Sequence, residues 1–316
     1  MSEMTWPKQL KDAHGPMRAD KLQGAAIGMG DWGIESRALA AEGWVPPDMM
    51  TGLTLFVLGS QPKGKSKQAM PGAGGGVAGG VWVRERFTII QPLRVDQLFT
   101  VKGEAVGRHV HKGRRYGTNR CQTFNEADEL VARNLTTGLL AYKVEEGLQD
   151  ELLGTDPSEI EVPGPMYSSA VKNPCLEQLK RFKTGQSFEK KQITVSLAMM
   201  EARDTKKPDN PIHSDPELAR KAGLSKPIAG GSHVLAFPLE LIMQHTGRHA
   251  LFYGASFDVR WKAPVYADLV IDVKIVVAAA TDQEVVFDLE VILESGATAM
   301  VGEVRVPLQL VVRLLV

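Results

Sequence analysis

The alternation of apolar and polar residues is clearest late in the chain, where DLVIDVKIVVAAA, EVVFDLEVIL and ATAMVGEVRVPLQLVV follow one another across TDQ and ESG. Valine-rich runs of this length, broken by turn residues, predict three antiparallel strands. The first half carries a similar series, GVWVRERFTII, QLFTVKGEAVG, RRYGTNRCQTF and ELVARNLTTGLLAYK, with NEAD as its last turn. Each half therefore predicts a meander preceded by helical sequence. Two helices stand out. One opens at Ser214 as N-cap, has acids in its first turn and stops at Gly223. The other, SHVLAFPLELIMQHTG, is apolar on nearly every side, contains Pro238 as a kink or break and ends at Gly247. Such a helix must be buried, so the expected class is α+β, with a curved antiparallel sheet wrapped around it.

The two halves align with each other. Residues 92–102 read PLRVDQLFTVK and residues 264–274 read PVYADLVIDVK, with Pro, Asp, Val and Lys matching 172 residues apart. A unit of this size indicates a duplicated domain and not a short-period array. The acidic, proline-containing stretch EEGLQDELLGTDPSEIEVPGP reads as the connector. The expected division is a first repeat over 1–150, a linker over 151–185 and a second repeat over 186–316.

Composition narrows the partners. Lys+Arg and Asp+Glu both number 37 among 316 residues, so no charge excess calls for nucleic acid or an anionic membrane. A small-molecule ligand or a protein partner is expected instead. Two cysteines, Cys121 and Cys175, lie outside any CxxC or Cys/His cluster, so neither a disulfide framework nor a metal site is expected. No stretch reaches the roughly 20 apolar residues of a membrane span, and the N-terminus lacks the apolar core of a signal peptide. The expected location is the cytoplasm.

Three stretches carry candidate chemistry. GAGGGVAGG contains a formal GxGxxG at Gly74, Gly76 and Gly79, but a polar loop precedes it and a strand follows, the reverse of a dinucleotide site. It reads as a loop. HVHKGRR, residues 109–115, reads as a solvated hairpin tip, with a contact to the phosphates of an anionic cofactor as the alternative. KKPDNPIHSD, residues 206–215, is followed by PELARKAGL, then PIAGGS and the apolar helix. There the backbone N–H groups of Gly231 and Ser232 would form a donor pair for a developing oxyanion.

These last residues resemble the signature of the MaoC-like (R)-specific enoyl-CoA hydratase family, also called hydratase 2. That signature runs Gly-Asp-x-Asn-Pro-Ile-His, then a helix with Asp and Ala, then Pro-Ile-x-His-Gly. The chain has Asn210-Pro211-Ile212-His213, then Asp215 and Ala219, then Pro227-Ile228-Ala229-Gly230-Gly231. FDVRWKAPVYADLVIDVK resembles the strand pair that follows in the family. The resemblance covers about residues 190–310 and implies a double hot-dog fold, two antiparallel sheets each wrapped around a central helix. The first half is similar to the family's degenerate repeat, which leaves room for a bulky acyl chain.

The resemblance also implies the chemistry, which is addition of water to an enoyl thioester or dehydration of a 3-hydroxyacyl thioester. Acyl-CoA or acyl-carrier-protein thioester is the expected substrate, with no cofactor and no metal, in a homodimer or in repeats paired within one chain. His213 and Asp209 are the candidate catalytic pair; Asn210, Gly230, Gly231 and Ser232 are the candidate substrate-binding residues. The family aspartate falls at Pro208, one place before Asp209. Three assignments are open: Asp209 has taken the role, another acid such as Asp204 reaches in, or the acid is lost. Gly230 stands where many relatives have histidine. A hot-dog thioesterase and a non-catalytic acyl-thioester binding protein are the alternative functions.

Overall fold

The computed structural model describes residues 6–60, 81–140, 144–156, 159–160, 172–204 and 211–308, with the side chains of 56, 59, 60 and 204 excepted. The first half contains β1 (Lys8–Gln9), β2 (Ala13–His14), α1 (Ala19–Ile27), α2 (Ile34–Ala41), a 3-10 helix (Pro47–Gly52) running into α3 (Leu53–Ser60), then β3 (Val81–Ile89), β4 (Phe99–His111), β5 (Arg114–Asn125) and β6 (Leu130–Leu139). β7 (Glu151–Gly154) and α4 (Leu176–Leu179) follow. The second half contains β8 (Ser187–Val195), α5 (Leu197–Asp204), α6 (Pro216–Lys221), α7 (Gly231–Thr246), β9 (Ser256–Trp261), β10 (Leu269–Ala280), β11 (Glu284–Leu293) and β12 (Thr298–Pro307).

The two meanders join edge to edge into one antiparallel sheet, in the order β1-β4-β5-β6-β3-β9-β12-β11-β10-β8. α7 packs on β8, β10 and β11, and α3 on β4, β5 and β6, so each half wraps a helix. Eleven of the sixteen α7 residues from His233 to Met243 are consecutive and buried, which is why the sequence is apolar all round. Pro238 does not break it: the helix runs through, with the proline ring itself in the core. α6 is capped by Asp215, not Ser214; the carboxylate accepts from the N–H groups of Glu217 and Leu218 at 2.8 and 3.0 Å. A carboxylate one residue later outcompetes the hydroxyl for the helix start. The 109–115 tip is a two-residue turn, with Lys112 and Gly113 both at positive φ, the geometry that matches strand twist. The glycine run 72–80 lies outside the described residues.

The duplication is visible in the backbone. Asp96 and Asp268, 172 residues apart, both adopt positive φ, at 58° and 67°. Their N–H groups bond the carbonyls of Met17 and Val195 respectively. Across the seam, Arg84 pairs with Arg260, Arg86 with Asp258 and Thr88 with Ser256. Arg86 and Asp258 are themselves 172 residues apart, so an approximate two-fold axis passes between them. Beside it Phe87 and Phe257 stack with ring centroids 4.1 Å apart, and Arg84 forks onto Asp258 at 2.9 and 2.6 Å.

Candidate active site

The site is built where the 3-10 helix Pro211–His213 meets the strand-like stretch before α7. Ile212 is fully buried with Ala219, Leu224 and Ile228 in a small core of their own, which pins the NPIH segment from below. The Ile228 N–H donates to the Ile212 carbonyl at 3.2 Å, and the His213 Nδ1 lies 2.7 Å from the Ile228 carbonyl. A carbonyl only accepts, so Nδ1 carries a proton, and Nε2 is the ring nitrogen left for other partners. That edge faces Gly230: a Cβ built there would lie 3.8 Å from both Cε1 and Nε2.

Gly230 caps α7 with φ −62° and ψ 150°. Its carbonyl accepts from the N–H groups of His233 and Val234 at 2.9 and 3.1 Å. Gly231 and Ser232 are the first two residues of the helix, so no carbonyl lies a turn behind to take their N–H groups. The helix start is anchored on every side. The Trp261 indole donates to the Gly231 carbonyl at 3.1 Å, and Arg203 donates to the Ser232 carbonyl at 3.3 Å while pairing with buried Asp48 of the first half. His233 bonds the Gly28 carbonyl at 2.8 Å, and burial pushes its ring pKa down to about 3.

Glycine at 231 is a matter of space. A Cβ there would meet Trp261 at 3.1 Å and Trp82, from the first half, at 3.2 Å. The two indoles are tilted with centroids 6.1 Å apart. Trp82 reaches the site because a register shift between Trp82 and Arg84 sets it off the regular alternation of β3.

The same position in the first half is chemically silent. The isolated bridge Trp44–Arg94 matches Ile228–Tyr266, and the bond from Val45 N–H to the Leu93 carbonyl matches that from Ala229 to Val265. Pro46 then caps the 3-10 helix with φ −57° and ψ 148°, the conformation of Gly230. The residue corresponding to Gly231 is therefore Pro47, which has no N–H to donate.

Of the residues expected from sequence, the structure brings His213, Gly230, Gly231 and Ser232 together. Asp209 and Asn210 lie outside the described residues, as does the side chain of Asp204. The sequence reading missed Trp82, Trp261 and Arg203. Trp261 sits in the FDVRW stretch already matched to the family, so its nearness to the glycine pair had one signal; the others had none. Among the described residues no group of His, Cys, Asp and Glu could hold a metal ion, and no helix is long and apolar enough to cross a membrane.

Residues 181–297 match the family model of the MaoC like domain. A search of curated protein sequences finds no match. In structure the chain is similar to a MaoC-like dehydratase, at 15% identity over 96% of this chain and 98% of that one, with a TM-score of 0.66. It is also similar to peroxisomal multifunctional enzyme type 2 from Drosophila melanogaster, at 15% identity over 95% and 48% of the two chains and a TM-score of 0.63. A Mycobacterium tuberculosis protein described as having a double hotdog fold matches at 13% identity over 95% and 96%, with a TM-score of 0.63. Residues 181–297 thus match the MaoC like domain, within the second half of a chain that has the double hot-dog fold.

Proposed function

We propose that the chain is a hydro-lyase that adds water to an enoyl thioester, or removes it from the corresponding 3-hydroxyacyl thioester, with CoA or an acyl-carrier protein as the thiol part. The observation that carries this reading is the His213 ring, held by the Ile228 carbonyl with its Nε2 edge beside Gly230. The MaoC-like domain at these residues supports it. In this reading the Gly231 N–H takes the thioester carbonyl and stabilises the charge that develops on its oxygen. Nε2 accepts a proton from water as the water oxygen bonds the β-carbon. Asp209 holds the same water, and the proton taken up at Nε2 is passed to the α-carbon on the same face, which returns the histidine to its starting form. No cofactor or metal takes part.

The test is loss of the enoyl absorbance of crotonyl-CoA with wild type, His213→Ala and Asp209→Asn. Both substitutions are expected to lower kcat/KM by about 10²–10⁴. Full activity of Asp209→Asn would remove Asp209 from the mechanism. Release of free thiol in place of hydration, read with a thiol reagent, would replace the hydro-lyase by a thioesterase.

A further inference from the structure

The inner face of the second half, beneath α7, is apolar. The corresponding face of the first half is not. Sheet register matches the two halves residue by residue: Glu85 pairs with Thr136, and Thr136 with Asn119, as Phe257 pairs with Val304, and Val304 with Phe287. One row along, Asn134 and Cys121 correspond to Gly302 and Leu289. One row further, Thr123 corresponds to Val291. Phe257, Phe287 and Leu289 are thus exchanged for the smaller Glu85, Asn119 and Cys121.

The exchanged residues form one buried cluster. Asn134 Nδ2 donates to Glu85 Oε1 at 2.9 Å and to the Met50 carbonyl at 3.2 Å. The Thr136 hydroxyl lies 3.0 Å from that of Thr54 on α3. Glu85 is fully buried, and burial raises its carboxyl to a pKa of about 8 against the pull of Thr136 and Asn134. Two buried polar atoms in this cluster have no hydrogen-bonding partner among the described residues: Glu85 Oε2 and Asn134 Oδ1. An orphaned buried polar atom is costly, and two on side chains bonded to each other point to a polar group that belongs there.

The cluster lies next to the candidate active site. Glu85 is directly opposite Val259, one inward-facing step from Trp261, which puts its Cα about 8 Å from that of Trp261 by ordinary sheet spacings. Trp261 packs on Gly231, and a span of that length is roughly five to seven carbons at bond lengths near 1.5 Å. A hydroxyl suits the cluster because it can donate to Asn134 Oδ1 and accept from a protonated Glu85. A plain hydrocarbon would leave both atoms unsatisfied.

Resting on the hydro-lyase reading, we propose that the first half selects an acyl chain bearing a hydroxyl group in its middle carbons, bound between Glu85 and Asn134. The test is calorimetric binding of saturated thioesters to the full chain: decanoyl-CoA against its 5-, 6-, 7- and 8-hydroxy derivatives, with butanoyl-CoA as a chain too short to reach. One hydroxy isomer is expected to bind about tenfold tighter than decanoyl-CoA in wild type. Glu85→Leu abolishes that preference, Glu85→Gln retains part of it, and none of the variants changes butanoyl-CoA binding. Asn134→Leu, similar in size, is expected to weaken the preference even if Glu85→Leu does not fold. Equal binding of all five decanoyl ligands by wild type, or a preference untouched by these substitutions, overturns the proposal. Because saturated chains are not hydrated, crotonyl-CoA turnover in the same preparations reports on the hydro-lyase reading separately.

Discussion

Trp261 fixes the peptide plane that follows the donor glycine through its bond to the Gly231 carbonyl. Trp261→Phe keeps a ring against Gly231 and removes only that bond. Steady-state kinetics on crotonyl-CoA should show kcat reduced several-fold with KM little changed, the pattern of an interaction that orients the transition state. Two buried titratable groups set a pH profile. Glu85 keeps its proton up to about 8, against an ordinary 4.5, so the stability conferred by the bound proton is present below 4.5 and lost as pH rises to 8. His233 stays neutral down to about 3, against an ordinary 6.5, so its contribution is present above 6.5 and lost as pH falls toward 3. The two oppose each other between 4.5 and 6.5, and Glu85 acts alone above that. Urea unfolding should show wild type losing up to about 1.4 kcal/mol per pH unit between 6.5 and 8, a slope that Glu85→Gln removes. At this scale the sequence showed His213 and the glycine pair, because NPIH and PIxxG are contiguous motifs. Trp82 and Glu85 were not legible, since each owes its place to cross-strand register between residues far apart in the chain.

Among the elements, α7 does more than carry the glycine pair. Its Glu240 side chain accepts from the N–H groups of Glu35 and Ser36 at 2.6 and 2.9 Å and from the Ser36 hydroxyl at 2.7 Å. It thus caps the N-terminus of α2 from 204 residues away. Glu240→Ala would strand those buried donors and should cost about 3 kcal/mol in chemical denaturation; Glu240→Gln, which keeps an acceptor, should cost less. The strands of both meanders were plain from alternation because one face of each is buried and the other is not. The helices α1 to α3 were not placed, since such short amphipathic segments gain their stability from packing and not from their own sequence. β7 was read as connector: its four residues are all exposed, so they show no burial pattern, and pairing with β4 alone makes them a strand.

For the whole molecule, the β3–β9 seam makes the halves one folding unit. Phe87 is 1% exposed and Phe257 2%, so Phe87→Ala should cost about 3–5 kcal/mol. Tryptophan fluorescence and far-UV circular dichroism should still report a single shared transition; two separated transitions would show the halves to be independent. The repeat itself was legible from PLRVDQLFTVK and PVYADLVIDVK. The joining of the two meanders into one sheet was not, because edge pairing between distant strands leaves no local trace. The approximate axis between Arg86 and Asp258 carries a last consequence. Were the halves identical copies in a symmetric dimer, the residue on the axis would face itself, and any charge there would meet its like. A single chain escapes that rule: arginine stands on one side and aspartate on the other. The same freedom lets one half hold glutamate at position 85 where its twin holds phenylalanine, so that two interiors built on one backbone plan differ in polarity.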